Sequence, residues 1–195
     1  MSSFALAPSR RVVLADLLPG SRVRDVALIV GGAGLTGLAA QVSVHTSLSP
    51  VPFTLQTLAV LFVGAALGSV RGVLSMIIYA AAGSLGVPWF SSHSSGWGGP
   101  TFGYILGFIV SAAVVGELAR RGNDRHVVST VGLMALGSAL VYAVGASWLA
   151  HDLHLSASVA IDKGVTPFLI GDAIKIAVAA LVFPAAWRLA RGSSR

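Results

Sequence analysis

The stretch "FLIGDAIKIAV", residues 168–178, decides how this chain is read. Asp172 and Lys175 interrupt an otherwise apolar run that continues to Ala186. Inside a lipid bilayer each such charge costs roughly 2.5–3.5 kcal/mol on insertion scales, so a compensating role is required. Spaced three apart, the two lie on one face of a helix. In a span beginning near residue 165, Asp172 sits about 10 Å below the outer end. Two roles fit such a pair. It locks a helix bundle by neutralising itself, or it lines a polar pocket that grips a ligand.

The rest of the chain decides that the surroundings are lipid. Of its 195 residues 55% are hydrophobic and only 10% charged, against roughly a quarter charged in a soluble domain. Mean hydropathy is +0.83, and the apolar residues come in runs approaching the ~20 residues that cross a bilayer core. The formal charge of +6 does not point to nucleic acid, because the basic residues gather at the ends of the runs. Cysteine is absent, which excludes disulfides and thiolate chemistry. The apolar stretch 12–18 is short and broken by Asp16, and it reads as an interfacial helix or a disordered tail, not a signal peptide.

The expected fold is an all-α integral membrane protein with six spans, near 26–44, 55–70, 72–87, 102–119, 127–149 and 165–188. A tight turn at 69–72 joins the second and third. The division is residues 1–25 as an N-terminal tail, 26–188 as the membrane domain and 189–195 as a C-terminal tail. Arginines set the direction. Arg10, Arg11, Arg22 and Arg24 precede the first span; Arg71, then Arg120, Arg121 and Arg125, lie in two turns; Arg188, Arg191 and Arg195 follow the last. The opposite face carries only Lys163. The positive-inside rule puts both termini of a multi-pass protein in the cytoplasm. Loops 45–54, 88–101 and 150–164 then face outward, where the mouth of a ligand pocket would lie.

Other polar candidates cluster toward that side. "PVPFTLQTLAV", residues 50–60, places Thr54 and Gln56 near the outer boundary, and Gln56 offers donors and an acceptor to a heteroatom-rich ligand or to a neighbouring helix. In the second outer loop Trp89, Phe90 and Trp97 suit an apolar lid or an interfacial belt, and "SSHSSGWGGP", residues 91–100, with Ser91 and His93 at its start, suits a gate or a plain exposed loop. "GAGLTG", residues 32–37, has the spacing of a dinucleotide fingerprint without its strand or its following acidic residue. Gly32, Ala33, Thr36, Gly37 and Ala40 instead form a small-residue face that lets another helix approach. Docking of a partner subunit is the favoured reading of that face, with packing inside the bundle as the alternative. His151, Asp152 and His154 are too few and too loosely placed for a metal site. Glu117, one turn before Arg120 and Arg121, suits an interfacial ion pair.

Four motifs in order complete the reading: "PVPFTLQTLAVLFVGAALG" (50–68), "YAAAGSLGVPWF" (79–90), "GPTFGYILGF" (99–108) and "PFLIGDAIKI" (167–176). Together they resemble the BioY family, the biotin-binding substrate-specific membrane subunits of energy-coupling-factor vitamin transporters. The resemblance implies a six-helix bundle with an outward-facing vitamin pocket capped by loops. It implies biotin contacts for Asp172 and Lys175, and a place in or beside the pocket for Gln56. No family contact carries over to Ser91, Ser92 or His93. Implied partners are a membrane coupling protein and two ATP-binding subunits, with transport by a solitary or oligomeric chain as the alternative. Biotin is then cargo; no cofactor or metal is expected. A membrane enzyme using Asp172 and Lys175 for proton transfer is the reading from another class, opposed by the lack of a second acid–base set.

Overall fold

The apolar runs fold into helices that lie side by side. The structure, a computed structural model, describes residues 12–20 and 22–192. In chain order it contains helix α1 (Arg22–Gln41), a hairpin of β1 (Ser43–Thr46) and β2 (Ser49–Thr54), then α2 (Gln56–Leu67), α3 (Ser69–Ser84), α4 (Phe102–Arg120), α5 (Val127–Asp152), the short α6 (Ala157–Gly164) and α7 (Leu169–Gly192). Arg22–Gln41, Phe102–Arg120, Val127–Asp152 and the stretch Ala157–Ala190 are long and apolar enough to cross a membrane. The apolar helices α2 and α3 are shorter, at 12 and 16 residues. Val26, Leu38, Val70, Ile174 and Leu181 are among the many large apolar side chains turned outward. Exposed apolar area of this extent marks contact with a membrane or with another protein.

Close backbone approaches set the packing. Gly64 of α2 stands against both Gly72 of α3 and the backbone of Ala112 in α4, so that a Cβ at either glycine would lie 3.2 Å from a neighbouring Cα and push the helices apart by a few tenths of an ångström. Gly107 of α4 meets the backbone of Val141 in α5 in the same way. Two buried clusters stack along the bundle. One contains Val60, Met76, Tyr79, Phe102, Phe108 and Phe168. The other contains Val13, Leu61, Val115, Met134 and Phe183 at the arginine-rich end.

Several expectations need correction. The fold is not purely helical, because residues 43–54 pair as an antiparallel hairpin, Ser43 opposite Thr54 and Val44 opposite Phe53. Pro50 and Pro52 donate no backbone hydrogen bond, which discourages pairing with a third strand. The turn between α2 and α3 is Gly68 alone, at φ 84°, a conformation open to glycine. The first helix starts at Arg22 and the last runs to Gly192, each a few residues beyond the expected span ends. Residues 1–11 and 193–195, with Arg10, Arg11 and Arg195, lie outside the described residues.

The stretch 12–18 carries a short 3-10 helix, Leu14–Leu17, in line with the helical reading, and it is packed on the bundle and is not a free tail. Val13 and Ala15 are buried in the second cluster. Asp16 pairs with Arg71 at 2.7 Å, and Arg71 reaches Asp25 at 3.2 Å. Partial burial pushes the Asp16 carboxyl up, but the Val13 N–H and the Arg71 guanidinium outweigh this and hold it below its ordinary value. Arg125 donates to the Val12 carbonyl and lies over the Trp187 ring, whose N–H donates to the buried Asp124 at 2.6 Å. Burial raises the Asp124 pKa above the usual carboxylate value, although the Trp187 bond opposes this. The arginine-rich end is thus a cross-linked layer joining the first and last helices to two turns. Glu117 pairs with Arg120 and Arg121 there, as its spacing predicts.

The small-residue face of α1 is the largest correction. Ala33, Thr36 and Ala40 are fully buried inside the chain, and Gly32 and Gly37 are buried with them. A Cβ at Gly37 would stand 3.1 Å from the Trp89 ring, and one at Gly32 would collide with Ser75. The face is packing against α3 and the loop beyond it, so these five residues are not a free docking surface.

Candidate functional site

At the end opposite the arginine-rich layer, the hairpin, the 88–101 connection and the start of α7 converge on a cavity of about 280 Å³. Asp172 lies in the first turn of α7, because the chain bends through the turn Thr166–Phe168 before the helix begins. This brings the pair to the cavity wall, where Asp172 is only 4% exposed. Lys175 Nζ donates to Asp172 Oδ1 at 3.1 Å and to Thr57 Oγ1 of α2 at 2.7 Å. Tyr142 of α5 donates its phenol O–H to the other carboxylate oxygen at 2.6 Å. The charges therefore tie α2, α5 and α7 together and also face the cavity. Locking and gripping are compatible.

The rest of the wall is mixed. Val51, Phe90, Ile105, Phe108 and Phe168 give it apolar character. Phe168 is braced by Phe53 of the hairpin, with ring centres 4.5 Å apart. Thr54 and Gln56 both line the cavity. Gln56 is engaged, donating at 2.6 Å to Tyr79, whose hydroxyl donates to the Trp89 carbonyl. Thr54 accepts the Gln56 backbone N–H, leaving its own O–H free to donate.

The gate residues separate into two pairs. Phe90 and Ser91 line the cavity. Ser91 Oγ is buried and has no hydrogen-bond partner among the described residues. Trp89 instead packs on Tyr79 and Gly37, away from the wall. His93 is exposed, and its backbone N–H donates to Gln41 Oε1 at the end of α1. The same Gln41 side chain donates to the carbonyls of Gly37, Trp89 and Phe90. Ser92 and His93 both have positive φ, 59° and 56°. Gln41, Thr57 and Tyr142 were not found by sequence reasoning. Each is an uncharged polar residue in an apolar helix or at its end, and only the folded geometry shows which way it faces.

Fold and site together define a membrane protein of packed apolar helices that enclose a small-molecule cavity against a buried charge pair. The chain belongs to the BioY family, whose profile it matches over residues 10–192. It is 36% identical over 164 residues to a protein of Pyrococcus horikoshii described as a probable biotin transporter BioY, covering 83% of this chain and 94% of that one. It is also 36% identical over 162 residues to the biotin transporter BioY of Thermotoga maritima, covering 80% of this chain and 87% of that one. Its fold matches the crystal structure of the S-component for biotin from an ECF-type ABC transporter with a TM-score of 0.78. That match covers 86% of this chain and 92% of the other at 19% identity, and it speaks to fold.

Proposed function

We propose that this protein takes up biotin across the cytoplasmic membrane, binding it in the cavity that Asp172 and Lys175 line. The observation that carries this reading is that charge pair, buried at a cavity wall in a chain of a family whose named members are biotin transporters. The chemistry of the ligand fits the wall. A cyclic urea carries N–H donors beside a strong carbonyl acceptor. Asp172, when ionised, only accepts and Lys175 only donates. The apolar residues shelter the thiophane ring, and the Thr54 hydroxyl, the Ser91 hydroxyl and nearby backbone groups serve the polar remainder.

In this reading the six apolar helices α1–α5 and α7 all span the membrane, α2 and α3 being short ones, with both termini cytoplasmic and the cavity facing outward. The 88–94 loop acts as its gate. The chain is a transporter subunit, not an enzyme, and uses no cofactor. Delivery is driven by an ATP-hydrolysing module of a membrane coupling protein and two ATP-binding subunits, as the fold likeness to an S-component suggests. Lipid covers the exposed apolar surface. Calorimetry on the purified protein tests the reading. Biotin is expected to bind stoichiometrically and unchanged, with Asp172→Asn and Lys175→Ala each weakening it at least tenfold, about 1.4 kcal/mol. Wild-type affinity in both folded variants would refute the site.

A further inference from the structure

We infer that Tyr142 is a specificity residue of this pocket, presenting a hydrogen-bond acceptor that reads a ligand N–H. The inference rests on the biotin reading and deepens it. A tyrosine hydroxyl ordinarily donates or accepts as the ligand requires, since it has one O–H and two lone pairs. Here the choice is made beforehand. An ionised carboxylate cannot donate, so the 2.6 Å contact commits the Tyr142 proton to Asp172 Oδ2. Toward the cavity, which it lines, the phenol oxygen then has only lone pairs to offer.

The neighbouring atoms extend the pattern. Asp172 has one oxygen taken by Tyr142 and the other by Lys175, and each oxygen keeps further acceptor capacity. Lys175 has used two of its three N–H donors, on Asp172 and Thr57, and keeps one. The polar wall therefore offers two adjoining acceptor groups, Tyr142 and Asp172, followed by a donor. A cyclic urea, with an N–H on each side of a carbonyl, can satisfy an acceptor and the donor together. A ligand with a carbonyl or ether oxygen facing Tyr142 would set lone pair against lone pair. Tyr142 thus discriminates by chemistry as well as shape, and a phenylalanine at that position would keep the shape and lose the discrimination.

The test is a cycle between variant and ligand, read by calorimetry or competition binding. The ligands are biotin and the two lactam analogues in which one ureido N–H is replaced by CH₂. Tyr142→Phe is expected to weaken biotin at least tenfold and to weaken one of the lactams less than twofold, because that lactam already lacks the N–H that Tyr142 accepts. Equal losses for biotin and both lactams would assign Tyr142 a structural role only and overturn the inference, as would an unchanged biotin affinity. Should Tyr142→Phe not fold, the wild-type protein is compared across the same three ligands. The lactam lacking the N–H that Tyr142 accepts is expected to bind at least tenfold more weakly than biotin, and equal affinity for biotin and both lactams overturns the inference. Failure of the wild-type protein to bind biotin would instead overturn the functional reading beneath it.

Discussion

Ser91 shows how a single side chain can be set against the stability of the empty protein. Its hydroxyl oxygen is buried at the cavity wall with no partner among the described residues. An unmade hydrogen bond of this kind costs folding free energy that a ligand can return. Ser91→Ala is therefore expected to act in opposite directions on two measurements. Thermal unfolding of the ligand-free protein should rise by a degree or more, because an unsatisfied polar atom has been removed. Biotin affinity should fall severalfold. A variant that lost stability and kept its affinity would show that the hydroxyl serves the fold instead. Legibility at this scale followed cost. Asp172 and Lys175 announced themselves because charges in an apolar run need a reason. Tyr142 and Thr57 did not, because a phenol or hydroxyl in an apolar helix is commonplace, and its partner lies more than a hundred residues away in one case and thirty in the other.

Among the elements, the short pieces between helices were the least legible and contribute most of the cavity mouth. The long apolar runs marked α1, α4, α5 and α7 well, since nothing but a helix satisfies the backbone of such a run in lipid. The hairpin was hidden by Pro50 and Pro52, which argue against strands until it is seen that β2 has a single neighbour among the described residues. The short α6 escaped because eight residues leave little periodicity, even with Ser156 at its N-cap. The small-residue face of α1 was visible, but which neighbour it meets was not, because glycine admits a helix from the same chain as readily as one from a partner. Gln41 at the end of α1 makes the strongest claim at this scale. It holds the 88–94 connection through two carbonyls and one N–H, in a turn where two non-glycine residues have positive φ. Such conformations cost on the order of 1–3 kcal/mol each and persist when neighbours enforce them. Gln41→Leu should therefore release the loop and speed biotin dissociation at least fivefold in a chase experiment, with the Asp172–Lys175 pair untouched. An unchanged dissociation rate would mean that the loop is not a gate held by Gln41.

For the whole molecule, the two ends differ in chemistry and so predict an orientation. One end is a layer of ion pairs and arginine contacts, in which Arg71, Arg120, Arg121 and Arg125 meet Asp16, Asp25, Glu117, Trp187 and the Val12 carbonyl. The other end carries the hairpin, α6 and the cavity mouth, and its cations are few. Positive residues are retained on the cytoplasmic side during insertion, so the cavity should open to the outside, where a vitamin is captured. The natural absence of cysteine makes this directly measurable, because any introduced thiol is the only one in the chain. Asp152 and Arg121 are both exposed, the first being the last residue of α5, on the side of α6, and the second in the turn between α4 and α5. In intact cells a membrane-impermeant maleimide should label Asp152→Cys and leave Arg121→Cys unlabelled until the membrane is permeabilised. Biotin uptake in both variants should stay near wild type, which shows that the labelled protein is folded and inserted. Labelling of Arg121→Cys alone in intact cells would invert the orientation and place the cavity mouth in the cytoplasm. Labelling of both would contradict an odd number of crossings between the two positions, and with it the assignment of α5 as a single complete span.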